Sequence, residues 1–175
     1  MQSVQHNTMQ KERILILDEK NIDWKLQRMA YQIWERNSNE QSIILIGIEN
    51  GGKAVAESLA ERLRKISPLS VELISLKINK KQVLQNDDVK MSTSLTGRAV
   101  VVVDDVTNSG KTLTYALKPL LAYEPSSLMV AVLVDRQHKS FPVSPDIVGH
   151  TVATTLQEHI EVECNADGSM QAYLM

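Results

Sequence analysis

Unbroken apolar runs alternate with amphipathic stretches along most of this chain. Residues 42–48 (SIILIGI), 100–103 (VVVV) and 127–134 (SLMVAVLV) show no polar–apolar alternation. That is the pattern of strands buried on both faces, as in a parallel sheet. Residues 71–76 (VELISL) predict another strand, and residues 13–17 a short one at a sheet edge. Between residues 19 and 36 the period changes. Ile22, Leu26, Met29, Ile33 and Trp34 fall on one face at three-to-four spacing, which predicts a helix. Asp18 or Asn21 is available to cap its start, and Asn37-Ser38-Asn39 marks its end. Trp24 flanks that face, and both tryptophans are read as packing residues.

A second helix is predicted over residues 53–65, where Ala54, Ala56 and Ala60 allow close approach to a sheet, and a third over residues 113–122. Ser67-Pro68 breaks the chain, and Pro142 and Pro145 stiffen a later loop. Residues 147–152, 160–164 and 170–174 predict short strands, with Asp167-Gly168 as a hairpin turn between the last two. Residues 77–96 are long, polar and without period, which predicts a mobile lid, partly a β-hairpin, that ends at the Thr96-Gly97 turn. Strands alternating with helices define an α/β class: a Rossmann-like, mostly parallel sheet flanked by helices. Residues 1–12 read as a disordered tail and residues 13–175 as one domain.

The chemistry concentrates in residues 100–112, VVVVDDVTNSGKT. A buried strand, a polar turn and a helix start make an anion site, because the turn offers hydroxyls and N–H groups and the helix adds its positive end. Ser109 to Thr112 would hold a phosphate. Asp104 and Asp105 stand at the carboxyl end of the strand, where open α/β sheets bind ligands. Carboxylates there repel a bare polyphosphate but suit sugar hydroxyls, or a Mg²⁺ shared with the ligand. Gly110-Lys111-Thr112 also resembles the end of a P-loop, but the glycine needed five residues earlier is Asp105. Two further strand ends fall on the same rim. One leads into Glu49, Asn50, Gly51 and Gly52, where paired glycines suggest an unusual backbone or close approach of a ligand. The other leads into Asp135, Arg136, Gln137, His138 and Lys139.

Composition narrows the setting. The 175 residues carry a formal net charge of -2, with no overall pull toward nucleic acid, although a local basic patch is compatible with that figure. The single cysteine, Cys164, cannot close an intramolecular disulfide, which favours a reducing, cytoplasmic compartment. No signal peptide or membrane span is expected. Four scattered histidines and one cysteine give no metal-ligand spacing, and no Ser/His/Asp or Cys/His constellation is evident.

The thirteen-residue stretch resembles the phosphoribosyl-diphosphate (PRPP) motif of type I phosphoribosyltransferases: a hydrophobic strand, two acids, and a Thr/Ser-Gly-x-Thr loop. Segments on either side, IILIGIENGG and MVAVLVDRQHKSFPVSPDIVGHTV, resemble the PyrR branch of that family, pyrimidine-operon attenuators that are also uracil phosphoribosyltransferases. The resemblance implies that Asp104 and Asp105 bind the ribose hydroxyls and Mg²⁺, the metal being held largely through PRPP. It implies that Thr107, Asn108, Ser109, Gly110, Lys111 and Thr112 wrap the 5-phosphate. Glu49, Asn50, Gly51 and Gly52 would form the pyrophosphate loop, and Val134, Asp135, Arg136 and His138 would surround the base, partly through backbone groups. Lys77, Lys80 and Lys81 would serve the lid. The implied assembly is a homodimer or higher.

The chain departs from that family where Glu49 and Gly51 replace basic residues, where the lid is short and lacks arginine, and where Gln137 replaces glycine. Two functions follow as expectations: transfer of ribose 5-phosphate from PRPP to a nucleobase, uracil first, or a catalytically weak PRPP- or nucleotide-sensing regulator. RNA binding would need a basic face, for which Arg136, Lys139, Lys25 and Arg28 are candidates, whereas residues 150–163 hold no Lys or Arg.

Overall fold

The computed structural model describes residues 13–78, 93–155 and 158–175. The expected tail and most of the expected lid, including Lys80 and Lys81, lie outside the described residues. The apolar runs form β2 (Ser42–Ile48), β3 (Ser70–Leu76), β4 (Ala99–Thr107) and β5 (Ser127–Arg136). Together with β6 (Ile147–Val152) they make a sheet in the order β3-β2-β4-β5-β6, with every neighbouring pair parallel.

Successive side chains of these strands enter two different cores. Ile43, Leu45, Val101, Val103, Ala131 and Leu133 face α1 (Glu19–Arg36) and α2 (Gly51–Ile66), meeting Met29, Ile33, Val55, Leu59 and Leu63. Ile44, Ile46, Ile48, Val100, Val102, Val130 and Val132 face the other way, against Leu113, Ala116 and Leu120 of α3 (Lys111–Leu121). Burial on both faces is the physical reason for runs without alternation.

The three short strands expected elsewhere are present: β1 (Ile14–Leu17), β7 (Ile160–Cys164) and β8 (Met170–Leu174). They form a separate antiparallel sheet in the order β1-β8-β7, with β1 at an edge as expected. Its inner residues Leu17, Ile160, Val162, Met170 and Ala172 join the core beneath α1 and α2. The β7–β8 turn carries Gly168 at φ 85°, a left-handed conformation that glycine adopts without penalty.

Helix α1 begins as expected. Asp18 is its cap, accepting a 2.8 Å hydrogen bond from the Asn21 N–H. Trp34 packs against the core, whereas Trp24 remains 59% exposed with Lys20 above its ring, so only one tryptophan serves the interior. The boundaries also move at the sheet's carboxyl edge. Strands β4 and β5 continue past their apolar runs through Asp104, Asp105 and Thr107 and through Asp135 and Arg136. The ladder between them persists, with Asp104 opposite Val132 and Thr107 opposite Asp135. Backbone groups at that depth need partners whatever side chain they carry, so pairing outlasts hydrophobicity. Helices α2 and α3 start two residues earlier than their apolar pattern, at Gly51 and Lys111.

Candidate active site

The carboxyl edge of the parallel sheet gathers the three predicted loops. At its centre, β4 passes into Asn108-Ser109-Gly110 and then α3. Gly110 has φ 80°, and a Cβ there would lie 3.2 Å from the Phe141 carbonyl oxygen, so both conformation and space call for glycine. The loop is braced from outside. Ser109 O accepts from the N–H groups of Ser140 and Phe141 at 3.1 and 3.0 Å, and Gly110 O accepts from the Thr114 N–H and hydroxyl, both at 3.0 Å. Asn108 spends its side chain on the backbone of Ile160. Its Nδ2 donates to Ile160 O and its Oδ1 accepts from Ile160 N, each at 3.0 Å. Any part Asn108 takes in holding an anion is therefore left to its main chain.

These constraints enclose a cleft of about 220 Å³ lined by residues 104–113 and by Ile160, Glu161 and Val162. Thr107 is 2% exposed, and its hydroxyl has no hydrogen-bond partner among the described residues. A buried, unpaired hydroxyl costs about 1–3 kcal/mol, which is reasonable where a ligand completes it. The helix starts agree. Helix α1 is side-chain capped, whereas α2 and α3, which open on this edge, have no side-chain cap. At α3 the Lys111 N–H donates to Ser109 Oγ at 3.3 Å, and the positive end of the helix still faces the cleft, open to an anion.

Asp104 is buried and accepts from the Asp105 N–H at 3.0 Å; Asp105 is partly exposed. The two glycines of the second loop explain themselves here. A Cβ on Gly51 would come within 2.0 Å of Asp105 Oδ2, and one on Gly52 within 2.7 Å of the Val103 carbonyl oxygen. Paired glycines thus let the start of α2 lie directly on the end of β4. Gly51 and Gly52 themselves are ordinary helical residues, so close approach and not an unusual backbone is what calls for glycine there; the Glu49–Asn50 peptide before them is cis. Lys77, one residue past β3, places Nζ 3.9 Å from Glu49 Oε2.

The third loop differs from expectation in detail. Val134 points into the core, so only its backbone faces the site's level of the sheet. The buried Asp135 is paired with Lys139, 2.7 Å from Oδ1 to Nζ. Arg136 is buried and donates to Thr154 Oγ1 and Thr155 O, both at 2.6 Å. His138 is exposed. The residues sequence reasoning missed are Thr154, Thr155 and the cleft wall at Ile160–Val162. No signal marks them, since Asn108 and Ile160 meet only through the fold. A larger groove of about 710 Å³ lies away from this edge, by Asp18, Asp23, Arg62 and Asp167. Asp18 already caps α1 there and Arg62 is paired with Asp23, so it lacks the features of an anion site.

A parallel sheet that ends in an acid pair, a glycine turn without a side-chain cap and a hydroxyl-lined cleft is the kind of site that sugar-phosphate transferases need. The chain belongs to the phosphoribosyltransferase family: the model of the phosphoribosyl transferase domain matches residues 15–166. Among curated proteins it is 36% identical over 169 residues to the bifunctional protein PyrR of Geobacter sp. (strain M21), covering 89% of this chain and 93% of that protein. It is 32% identical to the bifunctional protein PyrR of Fusobacterium nucleatum, covering 88% and 92%. Among solved structures, the hypoxanthine phosphoribosyltransferase of Trypanosoma cruzi superposes with a TM-score of 0.73 at 17% identity, covering 91% of this chain and 95% of that one. A hypoxanthine-guanine phosphoribosyltransferase from Bacillus anthracis gives 0.66 at 19% identity, covering 93% and 99%. These structures establish the type I phosphoribosyltransferase fold.

Proposed function

We propose that this pentosyltransferase moves the 5-phosphoribosyl group of PRPP to a nucleobase, with uracil as the acceptor, giving UMP and pyrophosphate. One observation carries the reading: the buried, partnerless hydroxyl of Thr107 lies in the wall of a cleft shared by an uncapped helix start and two adjacent carboxylates. A 5-phosphate would complete Thr107 and the first N–H groups of α3, with Ser109 and Thr112 hydroxyls beside it. Asp104 and Asp105 would hold the ribose hydroxyls. The bond from the anomeric carbon to the pyrophosphate oxygen breaks as a ring nitrogen of the base bonds to that carbon, and the base gives up its N–H proton. The transition state is oxocarbenium-like and needs no covalent nucleophile, only alignment and exclusion of water.

The donor set fits a magnesium ion brought largely by PRPP. Asp104 and Asp105 supply two carboxylates, and among the described residues no group of three His, Cys, Asp or Glu forms a cage. When bound, the ion offsets charge on the departing pyrophosphate. Val134 and Asp135 would flank the base through their backbone, with His138 at its edge, while Lys77, Lys80 and Lys81 would serve a closing lid. Uracil rests on the resemblance to the PyrR branch; solved structures of similar fold carry the names of hypoxanthine and guanine enzymes, so those bases belong in the same assay.

A second reading is favoured by Glu49 and Gly51: a PRPP- or nucleotide-binding regulator of weak turnover, with RNA as its partner through Lys25 and Arg28, since Arg136 is buried on Thr154 and Thr155 and Lys139 is paired with Asp135. A cytoplasmic homodimer or higher assembly is the setting in either case, and no described helix is long and apolar enough to cross a membrane. The deciding experiment follows nucleotide formation from PRPP, Mg²⁺ and uracil, hypoxanthine, guanine or adenine. Turnover with uracil supports the transferase. Turnover with another base alone reassigns the acceptor. Binding without turnover favours the regulator.

A further inference from the structure

We infer that the leaving-group half of this site selects against pyrophosphate, so the protein holds a nucleoside 5′-monophosphate more tightly than PRPP, and that Glu49 and the Gly51–Asp105 contact set this preference. The inference rests on the phosphoribosyl-binding reading above. It concerns which ligand of that class the site retains.

Three observations carry it. First, the start of α2 is covered by the chain's own acid. Asp105 Oδ2 stands 2.0 Å from the position a Cβ on Gly51 would take, and Gly51 is the first residue of that helix. Asn50 offers α2 no side-chain cap and its first turn has no acid, so the Asp105 charge complements the helix's positive end. A pyrophosphate settling on α2 meets that carboxylate. Second, Glu49 adds another negative charge beside the same turn, with its side chain only 26% exposed. Third, the two cations that the described chain brings to this loop are already matched. Lys77 faces Glu49 at 3.9 Å, and Lys53 faces Glu57 at 3.8 Å. Recruiting Lys77 for pyrophosphate leaves Glu49 uncompensated beside the same ligand.

The other half of the site differs at the phosphate loop itself. That loop presents the positive end of α3, the Thr107 hydroxyl and no carboxylate from residues 107–112, the acids of the same cleft being Asp104 and Asp105 at the ribose position and Glu161 on the far wall. A nucleoside 5′-monophosphate uses this half and the ribose acids, and places no phosphate at the start of α2. PRPP must use both halves. The difference in affinity therefore lies in the second half alone, and the residues that set it are those that line it.

The test is calorimetric titration of the full chain with UMP, IMP and PRPP, each with Mg²⁺, for the wild type, Glu49→Gln and Glu49→Lys. We expect UMP or IMP to bind the wild type at least about tenfold more tightly than PRPP, and the PRPP-to-nucleotide affinity ratio to rise about tenfold or more in Glu49→Lys, as befits a charge-assisted contact. Glu49→Gln, which changes no volume and guards against a folding defect in the lysine variant, should give a smaller rise of the same sign. Wild-type protein that binds PRPP as tightly as either nucleotide, or ratios unmoved by both substitutions, overturns the inference while leaving the phosphoribosyl site standing. Absence of binding by all three ligands overturns both.

Discussion

Replacing Thr107 by valine separates the two roles of a residue that looks structural. Thr107 closes β4, opposite Asp135, and is 2% exposed. Valine keeps the β-branched shape that a strand favours and removes only the hydroxyl. That hydroxyl has no partner among the described residues, so the free protein bears its desolvation without return. Its loss should relieve part of the penalty of about 1–3 kcal/mol attached to a buried unsatisfied polar group. A gain of about 1 kcal/mol raises the melting temperature by roughly 2–4 °C for a chain of this size. Binding should move the other way. A hydrogen bond to a charged phosphate is worth about 1.5–3 kcal/mol, so affinity for PRPP or a nucleotide should fall about ten- to a hundredfold. Thermal denaturation read beside calorimetric titration checks both signs on one sample. Valine that destabilises the fold while leaving affinity unchanged would show that the hydroxyl pairs within the protein, and the reasoning about the cleft would fail.

Four other outcomes follow from the same geometry. Asp104→Asn combined with Asp105→Asn should weaken PRPP–Mg²⁺ binding strongly and preserve the circular dichroism spectrum; unchanged affinity by calorimetry would remove the ribose assignment. Asn108→Ala gives up two reciprocal bonds to Ile160, which predicts a loss of about 1–3 kcal/mol in denaturant titration together with weaker phosphate binding; intact affinity would show that the loop keeps its shape without that tie. Gly149→Ala would set a Cβ 2.4 Å from the Leu133 carbonyl oxygen and 3.0 Å from Met29 Sδ, an overpacking cost of about 1–3 kcal/mol measurable by the same titration. Cys164 has its thiol pushed up by partial burial and then by the Asp105 carboxylate, so thiolate forms only at higher pH and alkylation at pH 8 should be slower than for a free thiol; Asp105→Asn should speed it, and an unchanged rate would place the two groups out of electrostatic reach.

The sequence by itself determined the layers and the strand–turn–helix that carries the candidate site. Ile43 to Ile48 and Val100 to Val103 could not be surface strands, because an uninterrupted apolar run needs cover on both sides, and α1, α2 and α3 provide it. The acid pair and the Ser109-Gly110 turn were legible because their chemistry is local: carboxylates, hydroxyls, a glycine and a helix start adjoin along the chain. Helix α1 was equally plain, since its period and its Asp18 cap lie within one segment. The tertiary structure alone decided what depends on distant neighbours. Strands β7 and β8 join β1 in a sheet of their own, and hairpin chemistry says nothing about which sheet a hairpin joins. Arg136 reads as a base-site cation along the chain, yet its guanidinium is taken by Thr154 and Thr155, eighteen and nineteen residues on. Gly51 reads as a missing base, yet its backbone is where Asp105 rests, fifty-four positions later. Local chemistry is written in adjacent residues. Which charge meets which is settled by the packing of elements far apart in sequence, and that packing sets Asp105 against the start of α2 and Ile160 against Asn108.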